Sequence, residues 1–191
     1  MNNLKDLTSK LYLYSEQEIH RIKLIATSLT HENALGLWLD LTKPAIFENE
    51  VPLILEEVKT QVQWQLMYKL RYDIEKNFGV TNPKTISQML DDIKRIQDAL
   101  SGRWYLARSD AFGPVIGEIG LIKFTHEKST IGRLQDVDIA PQHQKHGYGR
   151  QLLASIVKIA REEKIDALCL KADINDWPLS WYQRLGFQII F

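Results

Sequence analysis

The run Val137-Asp138-Ile139-Ala140-Pro141-Gln142-His143-Gln144-Lys145-His146-Gly147-Tyr148-Gly149-Arg150-Gln151-Leu152-Leu153 reads as a strand, a sharp turn and the start of a helix. Pro141 has no N–H and pushes Ala140 towards extended backbone, so the strand ends there. Leu152, Leu153, Ile156, Ile159 and Ala160 then fall at helical spacing, which predicts a helix from near Gly147. The first amides of a helix have no partner in its own ladder and carry partial positive charge, which suits a phosphate. Glycines at that place let an anion reach the backbone without meeting a Cβ. The plain alternative is a tight strand–helix turn with no ligand.

Two other phosphate-binding patterns are excluded. The Gly-x-x-x-x-Gly-Lys-Ser/Thr loop is missing, and Leu152 stands where a dinucleotide-binding Gly-x-Gly-x-x-Gly needs its third glycine. What remains, Gln144-x-x-Gly147-x-Gly149, resembles the Q/R-x-x-G-x-G/A signature of the GNAT acetyltransferase superfamily. Downstream, Asp166 to Ala172 reads as a strand, followed by Asn175 and then Trp181-Tyr182-Gln183-Arg184-Leu185-Gly186-Phe187. This is similar to that family's ending, in which Asn and Tyr stand seven positions apart ahead of Gly-Phe. The resemblance covers roughly Arg103 to Phe191.

The resemblance implies an α/β fold: a mixed, mostly antiparallel sheet flanked by helices, here with an enlarged helical N-terminal segment. It also implies acetyl-CoA as co-substrate. The backbone of Val137, Asp138 and Ile139 would then pair with the pantetheine arm. Gln144 opens the motif, and Lys145, His146, Gly147, Tyr148, Gly149 and Arg150 would hold the pyrophosphate. Asn175 would bond the arm or position the last helix; its plain role is a helix cap. A β-bulge commonly splays the strand before the loop from its neighbour, opening the slot. A backbone N–H of that strand would polarise the thioester carbonyl.

Acetyl transfer to an amine also needs a proton for the leaving thiolate and a base for the amine. The resemblance puts Tyr182 forward as the acid, against a plain role in packing a helix face. The base is less evident. Relatives place a glutamate where Leu170 or Arg133 stands here. Asp136 and Glu118 are the remaining strand carboxylates near the expected thioester, acting through water; the plain expectation for both is a solvated strand residue. Gln135-Asp136 is similar to one half of the acidic pair of polyamine-type relatives. His143 and His146 are expected on the loop surface, with no metal site.

Composition narrows the alternatives. Lys and Arg total 24 against 24 Asp and Glu, so no net charge points to nucleic acid or a membrane surface as partner. Hydrophobic residues make up 45% and charged residues 25%, ordinary for a globular chain with a real core. The single cysteine, Cys169, falls in a predicted strand as a small core residue, and a lone cysteine fits a reducing cytoplasm. The N-terminus has no apolar signal core, and no run is long enough to span a membrane.

Residues 1–101 read as helix-rich and packed on the sheet, the resemblance makes residues 102–191 the acetyl-CoA-binding core, and the two are expected to form one structural domain. Leu11 to Tyr14 is a candidate first strand, and Ser15-Glu-Gln-Glu18 a capping box opening a helix to Leu29. Ala34 to Leu41 reads as a short apolar helix. Leu55, Val58, Val62, Leu66, Leu70 and Ile74 trace a helical stripe closing at Gly79, and Ile86, Met89, Leu90, Ile93, Ile96 and Leu100 a second, closing at Gly102. Three or four helices are expected here. Arg103–Ser109, Val115–Phe124 and Ile131–Ala140 follow as strands. After Gly186-Phe187 the family generally adds two strands, while this chain offers one, which leaves an open edge for the N-terminal helices or a homodimer to cover.

The leading functional expectation is an N-acetyltransferase in which a primary amine, of a small molecule or of a protein N-terminus or lysine, attacks the thioester directly. The rival is a non-catalytic acyl-CoA-binding or interaction protein on the same scaffold.

Overall fold

The structure is a computed structural model that describes residues 34–126 and 129–189. The expected strand at residues 11–14 and helix at 15–29 fall outside the described residues. Within them the order is β1 (Ala34–Asp40), β2 (Ile54–Glu57), α1 (Gln61–Asn77), α2 (Pro83–Leu100), β3 (Arg103–Arg108), β4 (Gly117–His126) and β5 (Ser129–Ile139). A 3₁₀ turn (Pro141–His143), α3 (Tyr148–Glu162), β6 (Ala167–Asp173), α4 (Trp177–Arg184) and β7 (Gln188–Ile189) complete it. The strands form one seven-stranded sheet in the order β2-β3-β4-β5-β6-β1-β7.

The first correction to the sequence reading is β1. Ala34–Asp40 is a strand, not a helix. A run this short fits either period, and here the alternation wins: Leu37 and Leu39 are buried, while Trp38 between them is half-buried on the opposite face. The strand lies antiparallel to both β6 and β7, with Leu37 opposite Leu170 and Ile189. The sheet position that the sequence left unfilled after Gly186-Phe187 is thus taken from within the chain. β7 itself remains the outer strand of the sheet, so the open edge of the sequence reading is kept among the described residues.

The second correction concerns the first helical stripe. Leu55 belongs to β2 and Val58 to the link after it, and the helix begins only at Gln61. Thr60 caps it in a capping box that the sequence reading missed. The Thr60 hydroxyl accepts from Gln63 N–H, and the Gln63 side chain accepts from the Lys59 and Thr60 amides. Residues 34–101 hold two helices and two strands.

The sheet separates two cores. Along β3, Tyr105 and Ala107 face α3 and α4 together with Leu121, Leu134, Leu152, Leu153 and Ile156. Trp104 and Leu106 face α1 and α2 with Met67, Leu70, Ile74, Leu90 and Ile93. The period of two in the strands and the apolar stripes of the helices account for this layering. One pairing places the site. β5 and β6 run parallel only from Ile131↔Ala167 to Arg133↔Cys169, and beyond that point no ladder joins them. Cys169, half-buried here, has its thiol pushed up to about 11 by burial, as befits an inert packing residue.

Candidate active site

The parting of β5 from β6 has a local cause. Glu118 pairs with Asp138 and Gly120 with Gln135, so Asp136 and Val137 together oppose Ile119 alone. This is the expected β-bulge, and Asp136 carries it at a φ of 46°, a left-handed conformation that Asp tolerates better than most residues. The bulged residue is tied down on the face of α1 and α2. Trp104 Nε1 donates to Asp136 Oδ2 at 2.8 Å, and Arg71 Nη2 lies 3.3 Å from Asp136 Oδ1. Gly120 makes the first bond possible, because a Cβ there would sit 2.6 Å from the Trp104 ring.

Arg71 is the hub of this side. From α1 it reaches the carboxylates of Glu118, Asp136, Asp138 and Glu75. Its contacts with Asp138 Oδ2 and Glu75 Oε1 are both 3.4 Å. Burial works against the charge of the guanidinium, but the surrounding carboxylates outweigh it and hold Arg71 above its ordinary value. Glu118 is fully buried, and burial pushes its carboxyl well above the usual range against the pull of Arg71. Burial likewise raises Asp138, with Arg71 opposing. With one cation against several carboxylates, Glu118 and Asp138 hold protons more readily than they would in water. Glu118 and Asp136 are therefore not the solvated strand residues of the plain expectation.

A cavity of about 600 Å³ opens on the α3 and α4 side of the parted strands. Val137, Asp138, Ile139, Gln144, Lys145, Gly147, Tyr148, Gly149 and Arg150 all line it, joined by Trp177, Trp181 and Tyr182 from α4. At its head Gly147 caps α3 with a φ of 83° and nothing within 4 Å of where a Cβ would stand. The amides of Tyr148 and Gly149 thus face an open approach. Gln144 braces the loop by donating from Nε2 to Ile139 O at 3.0 Å, and Arg150 pairs with Glu50 at 2.8 Å.

His146 and Asn175 do not line this cavity. The His146 ring is exposed beside the Gln144 carbonyl, and Asn175 is exposed with its amide on Asp173 Oδ1. The cap of α4 is Asp176 instead. His143, expected on the loop surface, does line the cavity.

Tyr182 stands at the meeting of two spaces. It lines the large cavity and also a smaller one of about 230 Å³, bounded by Ala34, Arg133, Gln135, Asp136, Lys171 and Asp173 among others. Phe187 and Trp181 hold its ring, at 5.3 Å and 4.9 Å between centroids. Burial, and then the nearby Asp138, push its phenol far above the ordinary value, so it stays protonated at neutral pH. Asp136 borders the smaller space, whereas Glu118 lines neither.

The sequence reading missed Arg71. The signal was present, since Met67, Leu70, Arg71 and Ile74 are the buried positions of α1 and the arginine stands on that stripe. Among the described residues, no cluster of three or more His, Cys, Asp or Glu is placed to hold a metal, and no helix is long and apolar enough to cross a membrane.

Comparison with known proteins agrees with this geometry. Residues 101–189 match the family model described as acetyltransferase (GNAT) domain. The chain is 36% identical over 69 residues to an uncharacterized N-acetyltransferase, ycf52, of Gracilaria tenuistipitata var. liui, covering 36% of this chain and 37% of that protein. It is 28% identical over 79 residues to a glucosamine 6-phosphate N-acetyltransferase of Trypanosoma brucei brucei, covering 40% of this chain and 52% of that one. The chain thus spans about a third to a half of these relatives' length. Its fold is similar to a solved tandem GNAT protein from the clavulanic acid biosynthesis pathway, with a TM-score of 0.58 at 18% identity over 82% of this chain and 50% of that chain. With its glycine-headed helix and its bulged strand, the region of residues 101–189 is similar to a GNAT acetyltransferase domain.

Proposed function

We propose that the protein is an acetyl-CoA-dependent N-acetyltransferase whose acceptor is a primary amine that attacks the thioester directly. The observation that carries this reading is the pair of cavities meeting at Tyr182, one headed by the open amides of α3 and the other bordered by carboxylates.

The residues present fit acetyl-CoA. The larger cavity has the volume of a small-molecule site, an apolar wall from Val137, Leu152, Trp177 and Trp181, and an anion-ready helix start at its head. The Tyr148 and Gly149 amides, with Lys145 and Arg150, would hold its phosphates, and the β5 edge at Val137–Ile139 its amide arm. When bound it supplies an acetyl group activated as a thioester.

In the transfer a C–N bond forms and the C–S bond breaks; the nitrogen loses one proton and the sulfur gains one. Tyr182 delivers the proton to sulfur. Its raised phenol is always loaded, but transfer to a thiolate whose acid lies near ~8.5 is uphill, so proton delivery must accompany C–S cleavage. Asp136, on the wall of the smaller cavity, receives the amine's proton through water. Glu118 acts behind it, through Arg71.

The test is release of free thiol from acetyl-CoA in the presence of primary amines, with the acetylated product followed by mass. Amine-dependent release supports the transferase. Stabilisation by acetyl-CoA with no amine-dependent release would support the acyl-CoA-binding rival instead.

A further inference from the structure

The smaller cavity begins where the last β5–β6 pair, Arg133↔Cys169, ends. Its wall carries both signs of charge: Arg133 and Lys171 against Asp136 and Asp173. The negative members already have partners, Asp136 in Arg71 and Trp104, and Asp173 in the Asn175 amide. Arg133 differs from them. It is half-buried, and its Nε and Nη2 each lie 3.2 Å from the side-chain amide of Gln135, whose oxygen accepts from both once the amide is turned to face them. Among the described residues no carboxylate forms an ion pair with it.

A partly desolvated guanidinium with only a neutral partner is incompletely compensated. Its planar fork matches a carboxylate or a phosphate, which accepts two parallel N–H bonds. A polycationic acceptor would meet Arg133 as a like charge, and a plain alkylamine would leave it as it is. The space is also small. At ~30 Å³ per water it holds about eight waters, room for a few carbons and one anionic group.

We infer that the acceptor is a small primary amine that also bears a carboxylate or a phosphate, with the anion held by Arg133 and the amine presented towards Asp136 and Tyr182. This rests on the transferase reading above and gives it a substrate class.

The test compares matched acceptors in thiol release: propylamine with β-alanine, and ethanolamine with O-phosphoethanolamine. The anion-bearing member of at least one pair should show about tenfold or greater kcat/KM, carried by KM, as expected for a charge-assisted contact. The preferred pair identifies the anion. Arg133→Gln should collapse that ratio, and Arg133→Lys should keep part of it. Retained stabilisation by acetyl-CoA shows that the Arg133→Gln fold is intact. Equal kcat/KM within both pairs, or a ratio that Arg133→Gln does not change, overturns the inference. If no amine is acetylated, the transferase reading fails by itself, and thermal shifts then decide the pocket. A shift by β-alanine or O-phosphoethanolamine that Arg133→Gln abolishes supports it, and no such shift overturns it.

Discussion

The two sides of the parted strands are built on opposite principles. On the α3 and α4 side, the wall joins the amides at the start of α3 to the indole of Trp181 and the ring of Tyr182, with Lys145 and Arg150 as exposed or half-exposed cations among them. On the α1 side, the same strand is held by buried charge, with Arg71 among Glu118, Asp136, Asp138 and Glu75. One side offers a ready surface for a ligand. The other spends its polarity on holding a bulge in place, because buried charges fix position only when their partners are all present. Chemistry should therefore be lost without stability on the first side, and stability along with chemistry on the second.

Tyr182→Phe tests the first half of that contrast and should give the largest effect. The substitution keeps the ring between Trp181 and Phe187 and removes only the hydroxyl. Turnover should fall by ~10²–10⁴-fold, the usual range for a general acid, while stabilisation by acetyl-CoA holds. Thiol release under saturating amine measures it. Turnover equal to wild type would return Tyr182 to a packing role.

Arg71→Met tests the second half. It leaves a set of buried carboxylates without their cation, and breaking such a set costs about 3–5 kcal/mol. Denaturant midpoints at constant slope would report the loss. The loss should shrink as pH falls, because protonated carboxyls no longer need the guanidinium. A destabilisation that does not change with pH would mean that Arg71 acts by packing alone.

How far each side was legible follows from what builds it. The α3 side is local: Pro141, Gly147 and Gly149 fix strand end, turn and helix start within a few residues, so one short run declares it. Tyr182 and the strands around it were legible for the same reason. The α1 side joins Arg71 to Asp138 across 67 positions, and no local period encodes such a contact. Arg71 could have been noticed only as a charge on a buried stripe. β1 failed for a third reason. Seven residues from Ala34 to Asp40 are too few to separate two periods, and its neighbours, β6 and β7, lie more than a hundred positions downstream. The capping box at Thr60 is local and stands in the sequence as Thr-x-x-Gln.

A smaller effect sharpens the ligand side. Gly147 has a φ of 83°, so any side chain there strains the turn, whereas a Cβ at Gly149 would also press on Trp181 at 3.1 Å. Gly147 is thus the cleaner position. Gly147→Asn and Gly147→Asp share the strain, but only aspartate adds negative charge at the helix start. At acetyl-CoA about a hundred times its dissociation constant, wild type should gain about 2.7 kcal/mol. Gly147→Asn should keep most of that gain and Gly147→Asp should lose most of it, read as thermal shifts. Equal shifts in both variants would remove phosphate from this place.

The mildest test is Glu118→Gln. Glu118 is a carboxyl whose folded-state pKa lies above its ordinary value near ~4.3, chiefly through burial. Below that value both the folded and the unfolded chain hold the proton, and the group costs nothing. As pH rises past it, the unfolded chain releases the proton while the folded chain keeps it. Stability therefore falls with rising pH until the folded carboxyl itself ionises. Asp138, raised by the same cause, adds a slope of the same sign. Glutamine cannot ionise, and its amide oxygen can still accept from Arg71. The variant should match wild type near pH 4 and gain on it as pH rises towards 7. Denaturant midpoints from pH 4 to pH 8 measure the difference between the two profiles. Parallel profiles would mean that Glu118 enters the folded state fully charged, and that Arg71 is balanced by its ion pair rather than surrounded by a surplus of acid.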